Sequence, residues 1–261
     1  MRLARFRTAD GEVRQGVVRD EGVHLIEGDF LGAWQETRRQ LPLKEVKLLA
    51  PLASVNILCL GRNYRAHAEE GGDGVPQQPL LFLKATSAVI GPEEPIVLPA
   101  VAPDQVDYEA ELAVVIGRAA RHVREADALD CVLGYTCAND VTARDCQARE
   151  GQWARAKSFE TFGPLGPWIE TKLDPANLRV QGRLNGKTMQ DANTSLLIFN
   201  VRYLISYLSR GMTLLPGTVL LTGTPAGCGF ARKPPVWLKP GDVYEVEVAG
   251  IGVLRNPVAR P

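Results

Sequence analysis

The chain has 261 residues, 45% hydrophobic and 23% charged, with 30 Lys+Arg against 30 Asp+Glu. That composition can bury the core of one large domain, or of one domain with a small appendage, and it excludes a disordered chain. A formal net charge of zero argues against a nucleic-acid or membrane-surface partner and leaves a specific acidic ligand open. In chain order, Leu3–Phe6 and Val17-Val18 are strand-like, separated by turn signals at Ala9-Asp10-Gly11 and Asp20-Glu21-Gly22. Residues 31–47 mix charges with spaced apolar residues, which predicts a short helix or a loose connection. Residues 1–50 form a small N-terminal piece in this reading, and 51–261 the main domain.

The main body opens with a buried strand at Val55–Leu60 that ends at Gly61. Residues 71–79 hold three glycines and two prolines, which predicts a mobile loop. Tyr108–Gly117 reads as a strand entering a core, 125–133 as a short helix and 195–209 as a longer one. Val219–Leu221 and Val243–Val248 are further strands. Many short strands, few long helices, 25 glycines and 18 prolines favour a β-rich α+β fold over a doubly wound sheet.

Five cysteines, an odd number with no CxxC pair, argue against a disulfide framework or a thiolate zinc site and for reduced thiols. None lies in a recognisable nucleophile motif. No signal peptide is visible and no apolar run approaches the length needed to span a bilayer, so the expectation is a soluble cytoplasmic protein.

Glu109 and Glu111 are two apart in a strand-like segment, so both project to one face. Like charges that close call for a cation or a proton between them. An E-x-E pair alone fits an outward-facing strand better. Asp140 follows another buried run, Leu133–Ala138, and is a third candidate. Three carboxylates suit Mg²⁺ or Mn²⁺. His67 and Glu70 stand three apart; on a helical turn over 64–70 they share a face, and a carboxylate beside an imidazole makes a general base. A solvated helix face would carry the same pair. His24 and His122 lack a comparable acid and are assigned to structure.

Five segments in one order carry a resemblance: GRNYRAHAEE at 61–70, LFLKATSA at 81–88, DYEAELAVVIG at 107–117, GYTCANDVTARD at 134–145 with AKSF at 156–159, and LLTGTPAGCG at 220–229. The chain resembles the fumarylacetoacetate hydrolase superfamily. The resemblance implies a mixed β-sandwich roll with a metal held by Glu109, Glu111 and Asp140. It also implies a His67–Glu70 base dyad beside a lid at about 65–79, and Lys157 near the metal facing a substrate oxygen. Arg144, Gln147 and Thr224 would bind substrate oxygens, and Gly223 would allow close backbone approach. Taken alone, Lys157 fits an exposed surface lysine and Arg144 a salt bridge to Asp145. The lid is short and glycine-rich, with few side chains to read a substrate's distal end. The implied activity is a Mg²⁺- or Mn²⁺-dependent enzyme on small 2-oxo or 2-hydroxydienoic acids in aromatic catabolism, a homodimer closest in character to 2-hydroxyhepta-2,4-diene-1,7-dioate isomerases. Acylpyruvate C–C hydrolysis and oxaloacetate decarboxylation are the alternatives, and a non-catalytic binding protein is the alternative of another class.

Overall fold

The computed structural model of the chain describes residues 1–72 and 74–260. Strands make up 42% of the chain and helices 18%, a β-rich α+β fold with open sheets. A twelve-stranded sheet starts at the edge strand Trp34–Pro42. It runs through Gly22–Gly28, Val13–Arg19 and Arg2–Arg7 to Gly163–Glu170, Val132–Asn139 and Ala110–Ile116. It ends with Thr218–Leu221, Asn56–Gly61 and Leu80–Lys84, while Lys47–Leu48 and Val89–Ile90 pair off this path with Arg2–Arg7 and Gly163–Glu170. A five-stranded sheet holds Lys187–Asn193, Arg179–Leu184, Val243–Val248, Gly252–Ala259 and Ile96–Val97.

Ala110–Ile116 lies between two layers and is buried at all seven positions. Leu112, Val114 and Ile116 join a core with Val180, Tyr244, Val246, Val248 and Leu254 of the five-stranded sheet. Ala113 and Val115 face the other way, into a cluster with Leu3, Val17, Ile57, Leu165 and Val219. Each such aliphatic side chain contributes roughly 1.5–3 kcal/mol by leaving water. Continuing the period of two backwards places Glu111 and Glu109 on the Ala113/Val115 face.

The 31–47 expectation is corrected. Trp34–Pro42 is a strand paired with Gly22–Gly28, followed by a 3₁₀ turn at Leu43–Glu45. Its charged residues sit on an edge strand with most side chains in solvent, so the spaced apolar residues there record partial burial and not a helical face. The helix expected at 195–209 spans Val201–Gly211. Asn200 caps it, its side-chain oxygen accepting from the Tyr203 N–H at 2.9 Å, while Thr194–Leu196 is a separate 3₁₀ turn. The expected short helix at 125–133 is a 3₁₀ helix over Glu125–Cys131. Residues 71–72 and 74–79 form no regular element; Asp73 lies outside the described residues. Among the described residues, no helix is long and apolar enough to cross a membrane.

Candidate active site

Two parallel strands, Asn56–Gly61 and Thr218–Leu221, run side by side with Cys59 opposite Leu221. Their C-terminal ends therefore deliver Gly61–Tyr64 and Thr222–Thr224 to one place. Asn63 ties the two turns together. Its buried side chain donates to the carbonyls of Thr222 (2.8 Å) and Phe199 (2.9 Å) and accepts from the Phe199 N–H (2.9 Å). Gly223 has φ +102°, and a Cβ there would come within 2.8 Å of the Asn63 Cβ, so no other residue fits the turn.

On the adjoining ladder, Ala110 pairs with Asn139 and Glu111 with Ala138. That register sets Asp140 beside Glu109, its N–H donating to the Glu109 carbonyl at 2.9 Å. The Glu109 N–H donates in turn to Asn139 Oδ1 at 2.9 Å. Glu109, Glu111 and Asp140 each offer a carboxylate oxygen, all within 4.8 Å of one another, and all three residues are buried.

Cations partly balance this charge. Lys157 Nζ donates to Asp140 Oδ2 (2.6 Å), Thr142 Oγ1 (2.9 Å) and Glu109 Oε2 (3.0 Å). Lys84 Nζ donates to Asp140 Oδ1 (2.5 Å) and the Val141 carbonyl (3.1 Å). Arg144 Nε donates to Asp107 Oδ2 at 2.9 Å, and its Nη2 lies 2.7 Å from Glu109 Oε1. Burial opposes ionisation of Glu109, but Lys157 and Arg144 outweigh it and hold the carboxyl down at about 2. Glu111 behaves differently. Burial, then Asp140 and Glu109, push its carboxyl well above the ordinary carboxylate range; the Gly223 N–H, donating at 2.6 Å, offsets only part of this. Among the described residues, Glu111 has no lysine or arginine ion pair. With all four carboxylates ionised (Asp107, Glu109, Glu111, Asp140) against three cations (Lys84, Lys157, Arg144), one negative charge is in excess, and the raised Glu111 carboxyl calls for a proton or a cation to offset it. The donor set and that uncompensated charge fit a divalent oxygen-preferring cation. With such a cation the excess becomes one positive charge, which favours an anionic ligand.

His67 and Glu70 sit on the helix Arg65–Glu70. Glu70 Oε1 lies 2.9 Å from His67 Nδ1, and Glu70 Oε2 accepts from the Gly227 N–H at 2.9 Å. An ionised carboxylate only accepts, so Nδ1 carries the proton and Nε2 keeps its lone pair. His67, Glu109, Arg144, Gln147, Lys157 and Thr224 all line one cavity of about 410 Å³. Glu111 and Asp140 lie outside that lining, and Glu70 sits behind His67. The nine residues singled out in the sequence thus converge from segments up to 157 positions apart.

Several expectations change in detail. Arg144 pairs with Asp107 and Glu109 in place of the alternative Asp145, and Gln147 Oε1 accepts from Arg144 Nη1 at 3.0 Å. The Thr224 hydroxyl donates to the Ala110 carbonyl (3.0 Å) and accepts from Gln190 Nε2 (2.8 Å), so its proton is committed to the fold. Lys157 spans two carboxylates. Residues that the sequence reading passed over complete the wall: Leu60, Arg62, Phe82, Trp153, Phe230 and Trp237. They add apolar and cationic side chains to the cavity that the short loop lacks. Asp107 was also missed, although D-Y-E-A-E places it two residues before Glu109. It accepts from the N–H groups of Gly229 (2.7 Å) and Phe230 (3.1 Å) and so fixes both that turn and Arg144, which lies 4.5 Å from the Phe230 ring centre.

Residues 56–259 match the family described as fumarylacetoacetate (FAA) hydrolase C-terminal, and residues 1–51 match Rv2993c-like, N-terminal. The chain is 45% identical over 288 residues to the oxaloacetate tautomerase fahd2, mitochondrial, of Xenopus laevis, covering 99% of this chain and 90% of that one. It is similar to the crystal structure of 5-carboxymethyl-2-hydroxymuconate delta-isomerase from Mycobacterium smegmatis, with TM-score 0.91, 43% identity and 100% of both chains covered. It is similar also to 2-hydroxyhepta-2,4-diene-1,7-dioate isomerase from Mycobacterium marinum, with TM-score 0.89, 43% identity, and 100% and 98% of the two chains covered.

Proposed function

Because the chain belongs to the fumarylacetoacetate hydrolase family, we propose that it is a Mg²⁺- or Mn²⁺-dependent isomerase or tautomerase. It would move a proton at the 2-oxo or 2-hydroxy end of a small dicarboxylic acid, of the 2-hydroxyhepta-2,4-diene-1,7-dioate kind or its short relative oxaloacetate. The observation that carries this reading is the opening of the His67–Glu70 dyad and the Glu109 side of the carboxylate cluster onto one cavity. Proteins named for such proton shifts among the similar chains support it.

Glu109, Glu111 and Asp140 would hold the cation, which when bound withdraws electron density from a 2-oxo oxygen and acidifies the adjacent C–H. Arg144 receives the substrate carboxylate. Its guanidinium lines the cavity, held by Asp107 at Nε and Gln147 at Nη1, with Glu109 2.7 Å from Nη2. His67 Nε2 takes the proton from carbon, and Glu70 stabilises the imidazolium that results. The same ring returns the proton at the new position. Lys157 already has three acceptors for its three donors, so it turns an N–H to a substrate oxygen only by releasing one of them. Phe82 and Trp153, in edge-to-face contact with centroids 5.5 Å apart, wall off the far end from water.

The test is an absorbance assay of the purified Mg²⁺-loaded protein with enol-oxaloacetate and with a 2-hydroxydienedioate, with products identified by mass. Interconversion of isomers at constant mass is the expected result, abolished by a chelator. Release of CO₂ and pyruvate from oxaloacetate would replace the reading with decarboxylation, and cleavage of an acylpyruvate with hydrolysis. Metal binding without turnover of any of these would leave a binding protein.

A further inference from the structure

We infer that His67, Glu70 and Cys228 form a second cation site, chemically distinct from the carboxylate cluster, that takes a borderline or soft ion such as Zn²⁺ and silences the base when loaded. One ligand atom from each of the three residues lies within 4.8 Å of the other two. His67 Nδ1 is 2.9 Å from Glu70 Oε1 and 3.8 Å from Cys228 Sγ. With ordinary zinc bond lengths, a tetrahedral centre separates N from O by about 3.4 Å and N from S by about 3.6 Å. The observed spacings differ from those by about half an ångström or less, within reach of side-chain adjustment.

Two of the three ligands are themselves held by hydrogen bonds. Glu70 Oε2 is held by the Gly227 N–H at 2.9 Å, and Gln190 Nε2 reaches Cys228 Sγ at 3.5 Å. Three protein ligands leave the fourth position of a tetrahedral centre to a water. An imidazole, a carboxylate and a thiolate select Zn²⁺, Cd²⁺ or Co²⁺ over Mg²⁺, whereas the three carboxylates prefer the hard ion. Cys228 has no place in the proton-transfer scheme above, and burial keeps its thiol protonated and inert until a cation displaces the proton.

The proton balance explains the silencing. Loading releases the Cys228 thiol proton to solvent. Coordination through Nδ1 forces the imidazole into its other tautomer: the Nδ1 proton is lost and Nε2 gains one. The ring stays neutral and one proton leaves overall. Nε2 then has no lone pair facing the cavity, and Glu70 is withdrawn from the ring.

The silencing arm rests on His67 being the base; the binding arm does not. Zn²⁺ is titrated into the Mg²⁺-saturated full chain, wild type and Cys228→Ala, while activity is followed. In parallel, Co²⁺ is added in place of Zn²⁺ and the near-ultraviolet thiolate-to-cobalt band is recorded. The expected result is inhibition of wild type at a Zn²⁺ concentration at least tenfold below that needed for Cys228→Ala, with the cobalt band present in wild type and absent in the variant. Cys228→Ser, close in volume, gives the same comparison if the alanine variant does not fold. Identical Zn²⁺ curves for wild type and variant with no thiolate band would overturn the site and place zinc at the carboxylates alone. A band without inhibition would uphold the site and remove His67 as the base.

Discussion

Glu109, Glu111 and Asp140 hang on a ladder buried throughout Ala110–Ile116, with Lys84 and Lys157 locked between them. His67 and Glu70 ride on a six-residue helix whose Arg65, Ala66 and Glu69 face solvent and which leads into the glycine-rich stretch at 71–79. The carboxylate half is thus part of the core. Its charges hold one another in place, and removing one leaves the others buried and uncompensated. The dyad half is anchored at a few points, chiefly Asn63 and the Gly227 N–H. Rigid placement suits a cation site, whose ligand distances tolerate little error, whereas a base that must follow a proton between two carbons gains from a support that can adjust.

The comparison can be broken most decisively at Asp140. Asp140→Ala leaves Lys84 and Lys157 without their shared acceptor, a loss of about 3–5 kcal/mol for a buried pair. Thermal unfolding should fall sharply, and turnover by roughly 1000-fold or more through loss of cation binding. An unchanged melting temperature would deny the carboxylates their place in the core's charge balance. His67→Gln should lower kcat by roughly 100- to 10,000-fold. Its melting temperature and its Mg²⁺ affinity, measured by calorimetry, should stay near wild type. A large loss of metal affinity in that variant would merge the two halves into one unit.

Asp107→Asn sharpens the comparison from within the carboxylate half. It keeps the shape but weakens the hold on Arg144, so KM should rise by about tenfold or more with a smaller change in kcat. A fall in kcat at constant KM would move Asp107 from positioning the anion site to the chemistry. The smallest effect belongs outside both halves. Asn200→Ala removes a helix cap and should cost about 1 kcal/mol, seen as a shift of about 2–4 °C in melting, with kcat and KM unchanged.

Much of the site is legible as local spacing. Glu109, one position before the strand Ala110–Ile116, and Glu111 share a face because extended chain repeats every two residues, and His67 meets Glu70 because a helical turn brings i and i+3 together. The buried strands at 56–61, 110–116 and 218–221 are likewise visible as apolar runs. Trp34–Pro42 was misread because an edge strand buries only some of its residues, and the surviving apolar positions carry no clean period. Lys84 gave no local signal at all. A lysine closing the edge strand Leu80–Lys84 looks like any exposed lysine until the strand pairs with Asn56–Gly61 and the ammonium meets Asp140.

The sequence alone therefore picked out candidate residues, and paired those a few positions apart, because backbone periodicity acts over such distances without help from the rest of the chain. Only the tertiary structure decided which carboxylate faces which cation. The antiparallel register that sets Glu111 opposite Ala138 and brings Asp140 beside Glu109, and the parallel pairing that delivers Asn63 to the Thr222 carbonyl, are choices among strands far apart in the chain. Those choices are made by burial of whole faces, and with them came the assignment of Arg144 to Asp107, the commitment of the Thr224 proton, and the meeting of Cys228 with His67.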